Sequence, residues 1–124
     1  MSKPTIDEIR ALVKSLKIPE PGFYYHYKHK KEDGVFAYAY EVYGTGLHTE
    51  VDDRAEAVMV KYRPLYPEAV TYQLGKFDDF RPLSEFNKPV SDEKIPFHGA
   101  RFVRITDPEL IEKMRGQKHR MYGE

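Results

Sequence analysis

The chain has 124 residues, enough for one domain and one core but not for two. Hydrophobic residues make up 40% and charged residues 32%, with 20 Lys+Arg against 20 Asp+Glu, a balance that excludes disordered and membrane-spanning classes. Cysteine is absent, which excludes disulfides, Cys-ligated zinc, iron–sulfur clusters and thiol nucleophiles.

The zero net charge conceals a segregation. Residues 1–31 carry seven Lys/Arg and three Asp/Glu, residues 32–93 six against thirteen, and residues 94–124 seven against four. Basic ends around an acidic middle either pair with it, stay solvated, or steer toward polyanions. Met1-Ser2-Lys3-Pro4 leads into a polar helix rather than an apolar signal core, so a cytoplasmic setting is expected.

The first expected element is a helix. Thr5 stands at its N-cap and Glu8 three residues later, a spacing that lets both side chains satisfy orphan backbone N–H groups. Ile6, Ile9, Leu12, Val13 and Leu16 form one apolar stripe, and Pro19, Pro21 and Gly22 stop the helix. A helix of about twelve residues is marginal alone, so the stripe must dock on this domain or on a partner.

From Gly22 the period becomes extended. Residues 22–28 read as a strand, with Phe23, Tyr25 and Tyr27 on one face and Tyr24, His26 and Lys28 on the other. A charged turn follows, then a second strand over 35–43 that Gly44-Thr45-Gly46 is expected to break. The acidic stretch 50–56 leads to a third strand over 57–62. A fourth is expected over 70–74 and a fifth over 101–105, with a loop at 79–86 ending in a short helical turn.

Asp107 as N-cap and Pro108 at the first helical position open a C-terminal helix. Leu110, Ile111 and Met114 supply its stripe, Gly116 is expected to close it, and the basic tail beyond is expected to fray. The fold class expected is mainly β, α+β by content. It would be a five-stranded SH3-like barrel or rolled antiparallel sheet over 21–106, with a helix and proline linker over 1–20 and a helix and tail over 107–124.

Several segments carry a family resemblance. Gly22-Phe23-Tyr24-Tyr25-His26-Tyr27-Lys28, Tyr40-Glu41-Val42-Tyr43-Gly44, His48-Thr49-Glu50, Val58-Met59-Val60-Lys61-Tyr62-Arg63-Pro64-Leu65-Tyr66 and Phe80-Arg81-Pro82-Leu83-Ser84-Glu85-Phe86 come in that order. The set resembles the bacterial family catalogued as domain of unknown function 1653, whose pattern reads G-x-Y-x-H-Y-K, E-V-x-G, H-T-E-T, V-V-Y-x-x-L-Y and W-V-R-P-x-x-x-F. The likeness covers residues 22–86. The first turn and the acidic loop are longer here, Asp79-Phe80 replaces the Trp-Val context, and the two terminal helices are additions. The resemblance implies a compact β domain in a bacterial cytosol and no assigned activity.

Candidate chemistry is sparse. His26, His48 and Glu50 are of metal-ligand type, yet no H-x-H or H-E-x-x-H spacing joins them. Ser2, Ser15, Ser84 and Ser91 lie in no nucleophile motif, and Gly44-Thr45-Gly46 lacks the third glycine of a dinucleotide loop. No catalytic residue, metal ligand or cofactor is assigned. Tyrosine is the informative excess, at 10 residues. A sheet face of Tyr, His and Arg can stack bases, sugars or proline rings, and Arg at a strand end is a fork for carboxylate or phosphate.

The residues expected to bind a ligand are Tyr24, His26, His48, Glu50, Tyr62, Arg63 and Arg81. The function expected is non-catalytic recognition of a peptide, glycan or nucleic acid, the partner being a protein or a small polar or anionic ligand, without a membrane, by a monomer or weak homodimer. Two alternatives stay open: a metal-dependent or hydrolytic enzyme using His26, His48 and Glu50, and a dimerisation or partner module built on the N-terminal helix. Arg81 is expected on the side of the barrel that carries His48 and Glu50, paired with Glu50 or sharing a ligand with it.

Overall fold

A computed structural model describes residues 5–52 and 54–124. Residues 1–4, from which the absence of an apolar signal core is read, and Asp53 of the acidic loop lie outside the described residues. Helix α1 spans Ile6–Ser15, and Thr5 Oγ1 accepts the Glu8 N–H at 3.1 Å, as its cap spacing predicts. Only part of its stripe docks: Leu12 and Leu16, with Ile18 beyond the helix, pack on the core of this domain, while Ile6 and Val13 stay exposed.

Strand β1, Gly22–His26, pairs antiparallel with β2, Ala39–Leu47. The second strand starts four residues later than expected. Residues 35–38 instead form turns, with the Ala37 N–H donating to Gly34 O, the Ala39 N–H donating to Phe36 O, and Tyr38 at φ 55. That geometry tucks Val35 and Phe36 against the core around Leu65 and Met114, which alternation along a strand would not allow. Gly44-Thr45-Gly46 does not break β2 either. The register slips from Val42↔Tyr62 to Gly44↔Lys61, so Tyr43 is the extra residue of a β-bulge and the glycines continue the strand beyond it.

Helix α2, Arg54–Ala57, leads into β3, Val58–Pro64. The fourth strand expected over 70–74 is a helical turn, α3, Val70–Gln73. Its β-forming residues have nothing to pair with, since Val70 and Leu74 are exposed, and strand propensity acts mainly through packing. The helical turn aims Tyr72 inward, where its ring meets Tyr122 edge-on at 5.5 Å and its hydroxyl donates to Met121 O.

Residues 79–86 are not a loop. Asp79–Pro82 is edge strand β4 on β3, followed by the expected helical turn, α4, Leu83–Asn87. A hairpin of β5, Val90–Asp92, and β6, Phe97–Gly99, was not legible in the sequence; Asp92 Oδ1 accepts the Lys94 and Ile95 N–H groups in its turn. Strand β7, Phe102–Arg104, pairs with β1.

The five-stranded antiparallel sheet runs β4-β3-β2-β1-β7, with β5-β6 as a separate pair, and the fold is mixed α+β. The sheet rolls strongly: Arg81 on β4 lies 5.9 Å over the Phe102 ring on β7, at the far end of the strand order. Those two edges do not pair, so among the described residues the roll is open rather than a closed barrel. Its inner face buries Tyr24, Val42, Val60, Tyr62 and Phe102 beneath Leu83 and Phe86 of α4.

The other face buries Phe23, Ala39, Leu65 and Ile105 against Met114 of α5, Pro108–Tyr122. Asp107 caps α5 as expected, accepting the Glu109 N–H at 3.0 Å. Gly116 does not close this helix, and the tail is not frayed; the left-handed Gly123 ends it. A mid-helix glycine costs about 1 kcal/mol against alanine, and the packing beyond it exceeds that. Gln117 and Met121 are buried, Gln117 donates to Leu65 O, and the Tyr122 hydroxyl donates to Pro64 O at 2.6 Å. Among the described residues no helix is long and apolar enough to cross a membrane.

Candidate functional site

Four residues singled out in the sequence meet on the inner face of the roll. Alternation along β1 sends Tyr24 and His26 inward, β3 supplies Tyr62 and β4 supplies Arg81. His26 packs edge-on to Phe102 at 5.2 Å and Tyr62 does so at 5.6 Å. Arg81 Nε donates to the Tyr62 hydroxyl at 3.2 Å. Tyr24 reaches the group through Phe86, whose ring stacks on Phe102 at 4.4 Å. Tyr40 extends it outward, with its hydroxyl 2.5 Å from that of Tyr66.

The electrostatics follow from burial. Burial, then the positive charges of Arg101, Lys28 and Arg81, lowers the His26 pKa to about 4, so its imidazole is neutral at pH 7 and its Nδ1 accepts the Lys28 N–H. Burial also raises the Tyr40 and Tyr66 phenols, which stay protonated. They are hydrogen-bonding groups rather than bases.

His26 therefore gives a pH dependence of definite sign. The unfolded chain binds a proton near the ordinary value of 6.5 and the folded one only near 4. Stability contributed by neutral His26 is complete above 6.5 and is lost as pH falls through that window. Urea unfolding at about pH 7.5 and about pH 4.5 should show a smaller acid loss for His26→Phe than for wild type. An equal loss in both would refute the assignment.

His48 and Glu50 lie elsewhere, in the exposed turn after β2, where the Glu50 N–H donates to His48 Nδ1 at 3.3 Å. The ion pair expected between Glu50 and Arg81 is absent among the described residues, because Arg81 turns into the roll onto Tyr62 and Phe102. His26, enclosed by Tyr27, Tyr38 and Phe102, is not assembled with His48 and Glu50.

Arg63 sits on the other face, directly opposite Glu41 in the β2–β3 ladder. Its Nε donates to Glu41 Oε1 at 3.0 Å, and Lys118 Nζ donates to Glu41 Oε2 at 2.8 Å. Glu41 and Arg63 are both buried.

A further concavity lies where the chain leaves the sheet for turns. A groove of about 580 Å³ is bordered by the 33–38 turn, residues 66–68 and Gln117 of α5. Tyr38 and Tyr66, 6.0 Å apart between ring centroids, form one wall with Phe36 nearby. Tyr38 holds its left-handed backbone while its ring stacks on His26 at 5.6 Å, so the groove abuts the inner aromatic group. Asp33 and Glu68 stand exposed on its rim, with no ion-pair partner among the described residues. The only signal in the sequence was the placement of acids beside turn residues, Asp33-Gly34 and Pro67-Glu68. No protein-family model, curated protein or solved structure was found to match the chain.

Proposed function

We propose that the chain is a non-catalytic binding domain whose groove receives a cationic side chain, lysine or arginine, from a protein partner. The observation that carries this reading is the groove itself: Tyr38, Tyr66 and Phe36 beside two unpaired carboxylates, Asp33 and Glu68. Its volume lies in the range of small-ligand sites, ~300–1,000 Å³. Aromatic faces attract cations, worth ~0.5–1 kcal/mol when exposed, and the carboxylates add a charge-assisted hydrogen bond. The chain already uses the same chemistry at the edge of the groove, where the Arg120 guanidinium lies 5.8 Å from the Phe36 ring. A strained non-glycine backbone such as that of Tyr38 persists where its surroundings enforce it, a frequent property of ligand clamps. In this reading the open roll is an SH3-like scaffold. Kinship with the domain of unknown function 1653 family and a cytoplasmic setting belong to the proposal, supported by the ordered segments of residues 22–86.

Acetyl-arginine amide and acetyl-lysine amide are suitable probes, with acetyl-norleucine amide as the neutral control. Titration should shift the Tyr38 and Tyr66 ring resonances saturably with the cationic probes alone. Glu68→Gln, a surface change, should weaken that binding about 3-fold. Equal shifts with the neutral probe, or none at Tyr38 and Tyr66, would refute the reading.

A further inference from the structure

The guanidinium of Arg63 is addressed from two sides. Its inner edge is spent on Glu41, through Nε at 3.0 Å and Nη2 at 2.9 Å. Its outer edge makes a fork: Nη1 donates to Glu124 Oε2 at 3.0 Å and Nη2 to Glu124 Oε1 at 2.9 Å. The Tyr43 and Tyr122 rings hold the guanidinium, with centroids 4.7 and 4.0 Å away. The two carboxylates are held differently. The Glu41 side chain is 9% exposed and also paired with Lys118, whereas the Glu124 side chain is 57% exposed.

Without Glu124, the set of Glu41, Lys118 and Arg63 carries one net positive charge, with a planar two-donor edge facing out and its orientation already fixed by the rings and by Glu41. That is the geometry of a receptor for one carboxylate, and orientation fixed in advance lowers the cost of binding. We infer that the outer edge of Arg63 is a carboxylate-binding slot, which Glu124 occupies in cis and an external carboxylate takes when Glu124 leaves. The slot lies apart from the groove at Tyr38 and does not depend on the function proposed for it.

The test uses the full chain as wild type, Glu124→Ala and Glu124→Gln, following the Arg63 Nε–H resonance by NMR. Two probes separate the sources of the carboxylate: acetate, and the peptide acetyl-Tyr-Gly-Glu-amide. Sodium chloride at matched ionic strength is the blank. Both Glu124 variants should show a saturable shift, several-fold weaker in wild type because a tethered group competes at an effective concentration in the ~mM range. Tighter binding of the peptide assigns the slot to protein side chains, and equal binding assigns it to small carboxylates. If Glu124 is only a staple, the variants lose thermal stability and show no saturable shift with either probe, which overturns the inference. Equal affinity in wild type and variants also overturns it, since Glu124 would then not be the occupant.

Discussion

Phe102→Ala is expected to destabilise the protein by about 3–5 kcal/mol and lower Tm by about 10–20 °C. The ring is the point at which the roll closes on itself. Phe86 stacks on it, while His26, Tyr40 and Tyr62 meet it edge-on and Arg81 lies over its face from the opposite sheet edge. Truncation removes the buried ring and leaves a cavity bounded by side chains of four strands and α4, which cannot all collapse into it. The neighbouring Val103 points the other way and is exposed, so Val103→Ala should stay within about 0.5 kcal/mol of wild type. Urea unfolding of both variants checks the claim. A loss below about 1 kcal/mol for Phe102→Ala would mean that the inner aromatic group does not hold the roll.

Arg63→Met should cost about 3 kcal/mol, the lower end of the range for breaking a buried pair, because Lys118 remains to neutralise Glu41. The penalty arises less from the lost attraction than from the buried Glu41 oxygen left without its donor. Adding Glu41→Leu should restore much of the loss, since replacing both members of a buried pair by apolar residues is often neutral. A double-mutant cycle by chemical denaturation measures the coupling. Little dependence on salt is expected, because buried pairs are weakly screened. If Arg63→Met costs less than about 1 kcal/mol, the pair behaves as an exposed one and its burial has no energetic weight.

The parts of the fold legible in the sequence are those set by neighbours in the chain. Thr5 and Asp107 start helices through hydrogen bonds spanning two or three residues. Alternation alone places Tyr24 and Phe23 on opposite faces of β1 and in different cores. The errors share one cause, a local rule applied where a distant contact decides. Residues 70–74 look like a strand, but Tyr72 is drawn into a helical turn by Tyr122. Gly116 looks like a stop, but Gln117 reaches Leu65, 52 residues away. Gly44 and Gly46 look like a break, yet β3 is long enough to pair with both.

The candidate sites divide the same way. Composition and spacing by themselves pointed to a tyrosine-rich face on β1 and to Arg63 and Arg81 as forks at strand ends, because residue type and parity along a strand are properties of the chain. The partners of those groups came only from tertiary structure. The curl of the sheet brings Arg81 to Phe102 and Tyr62 rather than into a pair with Glu50, and the length of α5 brings Glu124 to Arg63 across 61 residues. The left-handed turn at Tyr38 sets its ring beside Tyr66 and on the His26 ring. Sheet curvature, helix length and turn handedness are settled by packing summed over the whole core. No window of adjacent residues contains that sum.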